Sequence, residues 1–174
     1  MNNKHNAVRL VSIILPTYNE AGNIVDLIKT IDKSVKDRKE IIVVDDNSPD
    51  GTSKAVKTYI KKGKNKAVSI KTRFKNPGLT NSIRDGIRFS KGDIIVWMDC
   101  DFSMPPEIIP KLVLKIKNGY DIAVGSRYVK GGAIVVETGE EKKDSILAIV
   151  LSRLMNKSIQ HMLGKRFKDY TSGF

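Results

Sequence analysis

The sequence predicts an α/β fold: a mostly parallel sheet with helices on both faces. Five short apolar runs recur along the chain, and the stretches between them carry apolar residues at helical spacing. The connections are short, which suits strands alternating with crossover helices. At 174 residues and 40% hydrophobic, the chain has enough apolar surface for the core of one such domain.

"LVSIILP", from Leu10, is the first buried strand, ended by Pro16. Ile24, Leu27, Ile28, Ile31 and Val35 then recur at helical spacing and give a helix with one inward face. "EIIVVDD" is too continuous for a half-exposed strand and suits the centre of a parallel sheet. "NSPDGT" turns into a second helix that Ser48 or Asp50 can cap. "KAVSIKT" is a third strand, and "GLTNSIRDGIRFS" an amphipathic helix carrying Ile83, Ile87 and Phe89.

"DIIVWMD" is the fourth strand, followed by "DCDFSMPPE". Pro105 and Pro106 suit a helix start, where no backbone donor is needed, and Ile108, Ile109, Leu112, Val113 and Ile116 carry that helix on. "DIAVGSR" reads as a fifth strand, residues 129–144 as a charged, Gly-containing loop, and residues 145–163 as a last helix with excess apolar surface. The expectation is a single domain over 1–174, cut from a longer protein at its C-terminal side.

Lys and Arg outnumber Asp and Glu by 31 to 19, a formal charge of +12, which favours anionic partners. One is a nucleic acid. The basic run from Lys54 to Lys75, however, has few aromatics and no recognised binding motif, so the expectation is no nucleic acid and attraction to anionic lipid headgroups instead. A single cysteine and an N-terminus without an apolar signal core point to a reducing, cytoplasmic location. "ILAIVL" is far too short to span a bilayer.

In an open parallel sheet, ligands bind beyond the carboxyl ends of the strands. Glu20, Asp45, Asp46, Asp99, Asp101 and Arg127 all fall at such ends. Carboxylates gathered there raise each other's pKa unless a cation compensates, and a divalent metal is the simplest one. Two hard oxygen donors, Asp99 and Asp101, suit Mg2+ or Mn2+. Period-two geometry turns Cys100 the other way, as a small packing residue. His5 and His161 lie at opposite ends of the chain, against a zinc site. "VVDD" also suits a phosphoacceptor receiver domain, but the third strand ends in "VSIKTRFKN", with only Lys and Arg where that domain needs an aspartate.

"SIILPTYNEAGNI", "IIVVDDNSPDGT", "NPGLTNSIRDGI", "MDCDFSMPPEIIPKL" and "DIAVGSRYVKGG" together resemble, in order and spacing, the motifs of inverting family 2 glycosyltransferases of GT-A (Rossmann-like) fold. Within them, the chain is most similar to the dolichyl-phosphate mannose synthases and their polyprenyl-phosphate relatives. The resemblance implies transfer of mannose from GDP-mannose, or of another sugar from a donor such as UDP-glucose, to a polyprenyl phosphate. It implies that Pro16, Tyr18 and Glu20 line the nucleotide pocket and that Val44 and Asp46 contact base and ribose. It assigns Asp99, Asp101 and the Cys100 backbone to the metal and diphosphate, with Asp101 and Arg127 catalytic. Arg127, Arg153 and Asp169 fall on the acceptor side. Ser103 stands where the family usually has a metal-ligating Gln, so its hydroxyl or a water it holds would take that place. Attachment to the cytoplasmic face of a membrane, with C-terminal membrane helices in the full-length protein, is a further implication.

Overall fold

The computed structural model describes residues 10–63, 65–126, 151 and 154–162. β1 (Val11–Thr17) is buried at every position, as a Val/Ile/Leu run must be when strands flank it on both sides. α1 (Ile24–Ser34) turns Ile24, Leu27, Ile28 and Ile31 inward, as its spacing predicts. Each such side chain stabilises the fold by about 1.5–3 kcal/mol relative to exposure. β2 (Lys39–Asp45) follows, then α2 (Thr52–Gly63), β3 (Val68–Thr72), α3 (Leu79–Phe89) and β4 (Ile94–Trp97). A 3-10 turn at Pro106–Ile108, opened by Pro106, leads into α4 (Ile109–Lys117).

The strands are all parallel, in the order β3-β2-β1-β4. The chain therefore builds outward from β1 to β3, then crosses back through α3, which packs on β1 and β2, to place β4 on the other side of β1. That reversal opens a crevice beyond the carboxyl ends of β1 and β4, where an open α/β sheet takes its ligand.

Pro16 does not end β1; it pairs with Val44 inside the strand. The β4 ladder stops at the Ile14–Trp97 pair, and the Ile14 carbonyl accepts the Met98 N–H at 3.3 Å. Residue 16 faces the same side two positions on, past the end of β4, so the donor that proline lacks is not needed there.

α3 differs from expectation in which face it buries. Ser82 and Gly86 are buried, Ile83 is half-buried, and Ile87 and Phe89 are exposed. The reason is close approach: a Cβ on Gly86 would overlap Cγ2 of Ile14 in β1. Small residues four apart let the helix sit against the sheet, and that contact outweighs the larger apolar residues on the neighbouring face.

The expected fifth strand is absent from residues 121–126, which have no regular secondary structure, and Ile122 is exposed. Apolar β-formers become a strand only by pairing with an edge, and this run pairs with none among the described residues. The chain divides into two compact units, residues 1–123 and 124–174. In the second, residues 154–162 are helical, within the helix expected over 145–163, and Asn156 is buried. The expected loop at 129–144 lies outside the described residues.

Gly86→Ala gains about 1 kcal/mol of helix propensity but overpacks Ile14 at a cost of about 1–3 kcal/mol. The expected result is a lower urea midpoint, partly restored by adding Ile14→Leu, which removes the branched methyl. A raised midpoint in the single variant would show the approach to be looser than described.

Candidate active site

A pocket of ≈ 540 Å³ opens at the carboxyl end of the sheet, lined by Pro16, Tyr18, Asp46, Asn47, Gly78 and Ser82 among others. β1 delivers Pro16 and leaves Tyr18 exposed at the rim; β2 delivers Asp46; the turn into α3 supplies Gly78. Gly78 sits at φ +128, a conformation open to glycine, and donates its N–H to Asp46 Oδ2 at 2.6 Å.

Asp46 is held from behind by Arg73, one residue past β3. Both side chains are only 7% exposed. The guanidinium donates through Nη1 to Asp46 Oδ1 and to Ser82 Oγ at 2.8 Å. Nε donates to Asp85 Oδ2 at 2.8 Å, and Nη2 to the carbonyls of Asn76 at 2.6 Å and Lys75 at 3.4 Å. Ser82 also donates to Asp46 Oδ1 at 3.0 Å. The ends of β2 and β3 and the first turns of α3 are thereby joined through one buried cation.

The acidic turn after β4 shares a wall with this pocket, because the Cys100 thiol donates to the Pro16 carbonyl at 3.4 Å. Cys100 is buried, Asp99 half-buried and Asp101 exposed. Burial pushes the Cys100 thiol far above its ordinary range, and the charges of Glu20, Asp99 and Asp101 add to that, which suppresses the thiolate a metal would need. Burial first, and then the charge of Asp101, hold the Asp99 carboxyl above its usual value. Two repelling carboxylates fit a hard divalent cation, which takes one or two protein oxygens and fills its shell with water and phosphate oxygens. No group of three or more His, Cys, Asp and Glu suited to a metal occurs among the described residues. Ser103 contributes its backbone N–H, which donates to Asp101 Oδ1 at 2.9 Å.

The other strand-end acids are engaged elsewhere. Asp45 is fully buried and accepts hydrogen bonds from Ser48, Ser53 and Thr17. The Glu20 carbonyl receives the N–H groups of Asn23 and Ile24 at the start of α1, and its carboxylate accepts from Asn23 Nδ2 at 3.2 Å. Asp50 does serve the start of α2, accepting from Thr52 N–H at 2.9 Å and from the Thr52 hydroxyl at 2.6 Å. The Thr52 hydroxyl is the main reason its carboxyl lies below the usual range.

Of the residues the sequence singles out, Pro16, Tyr18 and Asp46 line one pocket, and Asp99, Cys100, Asp101 and Ser103 form the adjoining turn. Val44 is a correction: its side chain is fully buried in a cluster with Ile14 and Ile42 and does not line the pocket. Arg127, Arg153 and Asp169 lie outside the described residues. Sequence reasoning missed Arg73. The signal was there: a lone arginine at one strand end beside paired aspartates at the next.

The family model for glycosyl transferase family 2 matches residues 12–174. A dolichol-phosphate mannosyltransferase from Pyrococcus furiosus is 41% identical over 165 residues, covering 94% of this chain and 45% of that one. The chain thus spans a little under half the length of the curated relatives it matches. A mannosyltransferase from Pyrobaculum calidifontis, solved with GDP-Man and Mn2+, is 28% identical with a TM-score of 0.57 over 70% of this chain and 35% of that one. Glucosyl-3-phosphoglycerate synthase from Mycobacterium tuberculosis, solved with Mn2+, UDP and glucosyl-3-phosphoglycerate, is 26% identical with a TM-score of 0.54 over 66% and 42%.

Removing one partner of a buried ion pair costs about 3–5 kcal/mol, because it strands the other charge. Arg73→Ala is expected to lose that much in urea denaturation, and Arg73→Lys to recover only part of it, since an ammonium cannot reproduce the planar fork. A loss under about 1 kcal/mol in Arg73→Ala would mean that Asp46 is not held through this contact. Cys100 should react slowly with iodoacetamide at pH 8 in the folded protein and rapidly in urea. Equal rates would mean an accessible thiolate.

Proposed function

The chain belongs to glycosyl transferase family 2, and from that premise we propose that it is the catalytic domain of an enzyme moving mannose from GDP-mannose to a polyprenyl phosphate of the dolichyl type. The observation that carries this reading is the pocket whose Pro16 is hydrogen-bonded to Cys100, between half-buried Asp99 and exposed Asp101, in a chain similar to a dolichol-phosphate mannosyltransferase. Pro16, Tyr18, Glu20 and Asp46 hold the nucleotide, Tyr18 offering its exposed ring to the base. Asp99 and Asp101 hold the metal, with the Cys100 backbone against the diphosphate and Ser103 supporting Asp101. A divalent cation, Mn2+ or Mg2+, supplies there the charge that offsets the departing nucleoside diphosphate.

An oxygen of the acceptor phosphate forms a bond to the anomeric carbon while the bond from that carbon to the diphosphate oxygen breaks on the opposite face. The centre is inverted. The attacking phosphate is already an anion near neutral pH and needs no general base. It does need relief from repulsion by the donor, which Arg127 provides through bidentate contacts, with Arg153 and Asp169 on the acceptor side. The catalytic domain acts peripherally at the cytoplasmic membrane face. No described helix is long and apolar enough to cross a bilayer, and C-terminal membrane helices belong to the full-length protein in this reading.

A second reading keeps the chemistry and changes the donor to UDP-glucose, a choice favoured by the structural likeness to a synthase solved with UDP. A donor panel with polyprenyl phosphate, in Mn2+ and in Mg2+, separates the two. Mannolipid from GDP-mannose is expected; glucolipid from UDP-glucose with none from GDP-mannose would replace the first reading by the second. Asp101→Ala should lower metal-dependent turnover by about 10²–10³ or more, the scale of losing one preorganised charge contact, without moving the urea midpoint. Full activity in that variant would remove the metal assignment.

A further inference from the structure

We propose that the exposed face of α2 is a docking surface for an anionic membrane. The acids of α1 and its following turn are matched: Asp26 with Lys29 at 2.8 Å, Asp32 with Lys39 at 2.9 Å, and Asp37 with Lys117. α2 is the opposite case. No acidic residue occurs between Asp50 and Asp85. Lys54, Lys57, Lys61 and Lys62 are exposed, and none forms an ion pair among the described residues. Their spacing puts them in one stripe about 12 Å long. Like charges three and four apart destabilise a helix, and an anionic partner removes that cost.

Beside the stripe runs a groove of ≈ 760 Å³ between α1 and α2, with Val25, Ala55 and Tyr59 along it, Lys54 and Lys62 among its edges, and Asp50 and the Asp26-paired Lys29 also lining it. Ammonium groups edging a shallow apolar channel that holds a tyrosine match a lipid headgroup layer. A nucleic acid instead asks for exposed aromatics on which bases stack, and the stripe has none.

The start of α2 is tied to the site. The Glu20 N–H donates to Thr52 Oγ1 at 3.0 Å, and the Ala21 N–H to Asp50 Oδ2 at 2.9 Å. Docking along the stripe would hold the first unit at the membrane through the helix whose start is bonded to the segment after β1. A role of that docking in supplying a lipid-borne phosphate rests on the lipid-acceptor reading; the docking itself rests on charge.

The test is co-sedimentation of the full chain with vesicles of 30% phosphatidylglycerol in phosphatidylcholine, against pure phosphatidylcholine, at low and high salt. A Lys54→Gln/Lys57→Gln/Lys61→Gln/Lys62→Gln variant is compared with a control, Lys33→Gln/Lys36→Gln/Lys91→Gln/Lys111→Gln, each lowering the formal charge from +12 to +8. Each lysine near such a surface strengthens partitioning about five-fold. Salt-sensitive binding to the anionic vesicles is expected, lowered at least about 10²-fold in the α2 variant and far less in the control. Equal losses in the two variants, no preference for the anionic vesicles, or tighter binding to oligonucleotides at matched phosphate concentration would overturn the proposal. Calorimetric titration with GDP-mannose and Mn2+ reads the functional assignment separately, since the α2 variant should bind the donor as the unaltered chain does.

Discussion

A buried guanidinium has to find an acceptor for each of its five N–H donors, because a charge taken out of water is costly unless it is fully paired. Arg73 meets that demand with Asp46, Ser82, Asp85 and the carbonyls of Lys75 and Asn76. Much of the site geometry follows. The segment after β3 folds back to offer its carbonyls, which carries Gly78 to the free oxygen of Asp46. Ser82 must face the sheet to reach Asp46, and Gly86, four residues later on the same face of α3, must then be small enough to clear Ile14. One helix face serves both the polar floor of the pocket and the apolar core.

The same interactions decide where negative charge is left over. Asp45 is enclosed by hydroxyl and N–H donors, Asp46 by Arg73, and Glu20 accepts from Asn23 at the start of α1. Asp99 and Asp101 have no cation among the described residues, and repulsion between them is part of what raises Asp99. The carboxylates left without a paired cation among the described residues are therefore those of the turn after β4 rather than Asp46 after β2.

Strand and helix order from β1 to α4 was legible in the sequence because it rests on local periodicity, whereas the fifth strand expected after α4 is absent from residues 121–126. What periodicity cannot carry is distance. Pro16 reads as a strand end, but whether a missing donor matters depends on how far the neighbouring strand extends. Ile83, Ile87 and Phe89 read as a core face, but α3 is seated by Ser82 and Gly86, whose value lies in bulk they lack. Val44 is a pocket residue by the family resemblance, yet in this central strand, buried from Ile41 to Asp45, its side chain clusters with Ile14 and Ile42. Arg73 was set aside as a mismatch to one acidic-pocket family, although a cation is what a buried aspartate beside it requires.

Each strand of the sheet is followed by one non-glycine residue in the left-handed region: Asn19, Asn47, Asn76 and Phe102. Asparagine takes that conformation readily, whereas for a bulky side chain it is uncommon and costs free energy. The strained member therefore stands in the turn that bears the two uncompensated carboxylates, where surrounding structure has to hold it in place. Its effect is local. Phe102 bends the chain so that the Ser103 N–H returns to Asp101 Oδ1, taking up one acceptor position of that carboxylate and fixing its direction. Ser103 thus bears on the turn after β4 through its backbone, a contribution available to any non-proline residue at that position. This accounts for how the turn can stay ordered with serine where the family resemblance leads one to expect glutamine.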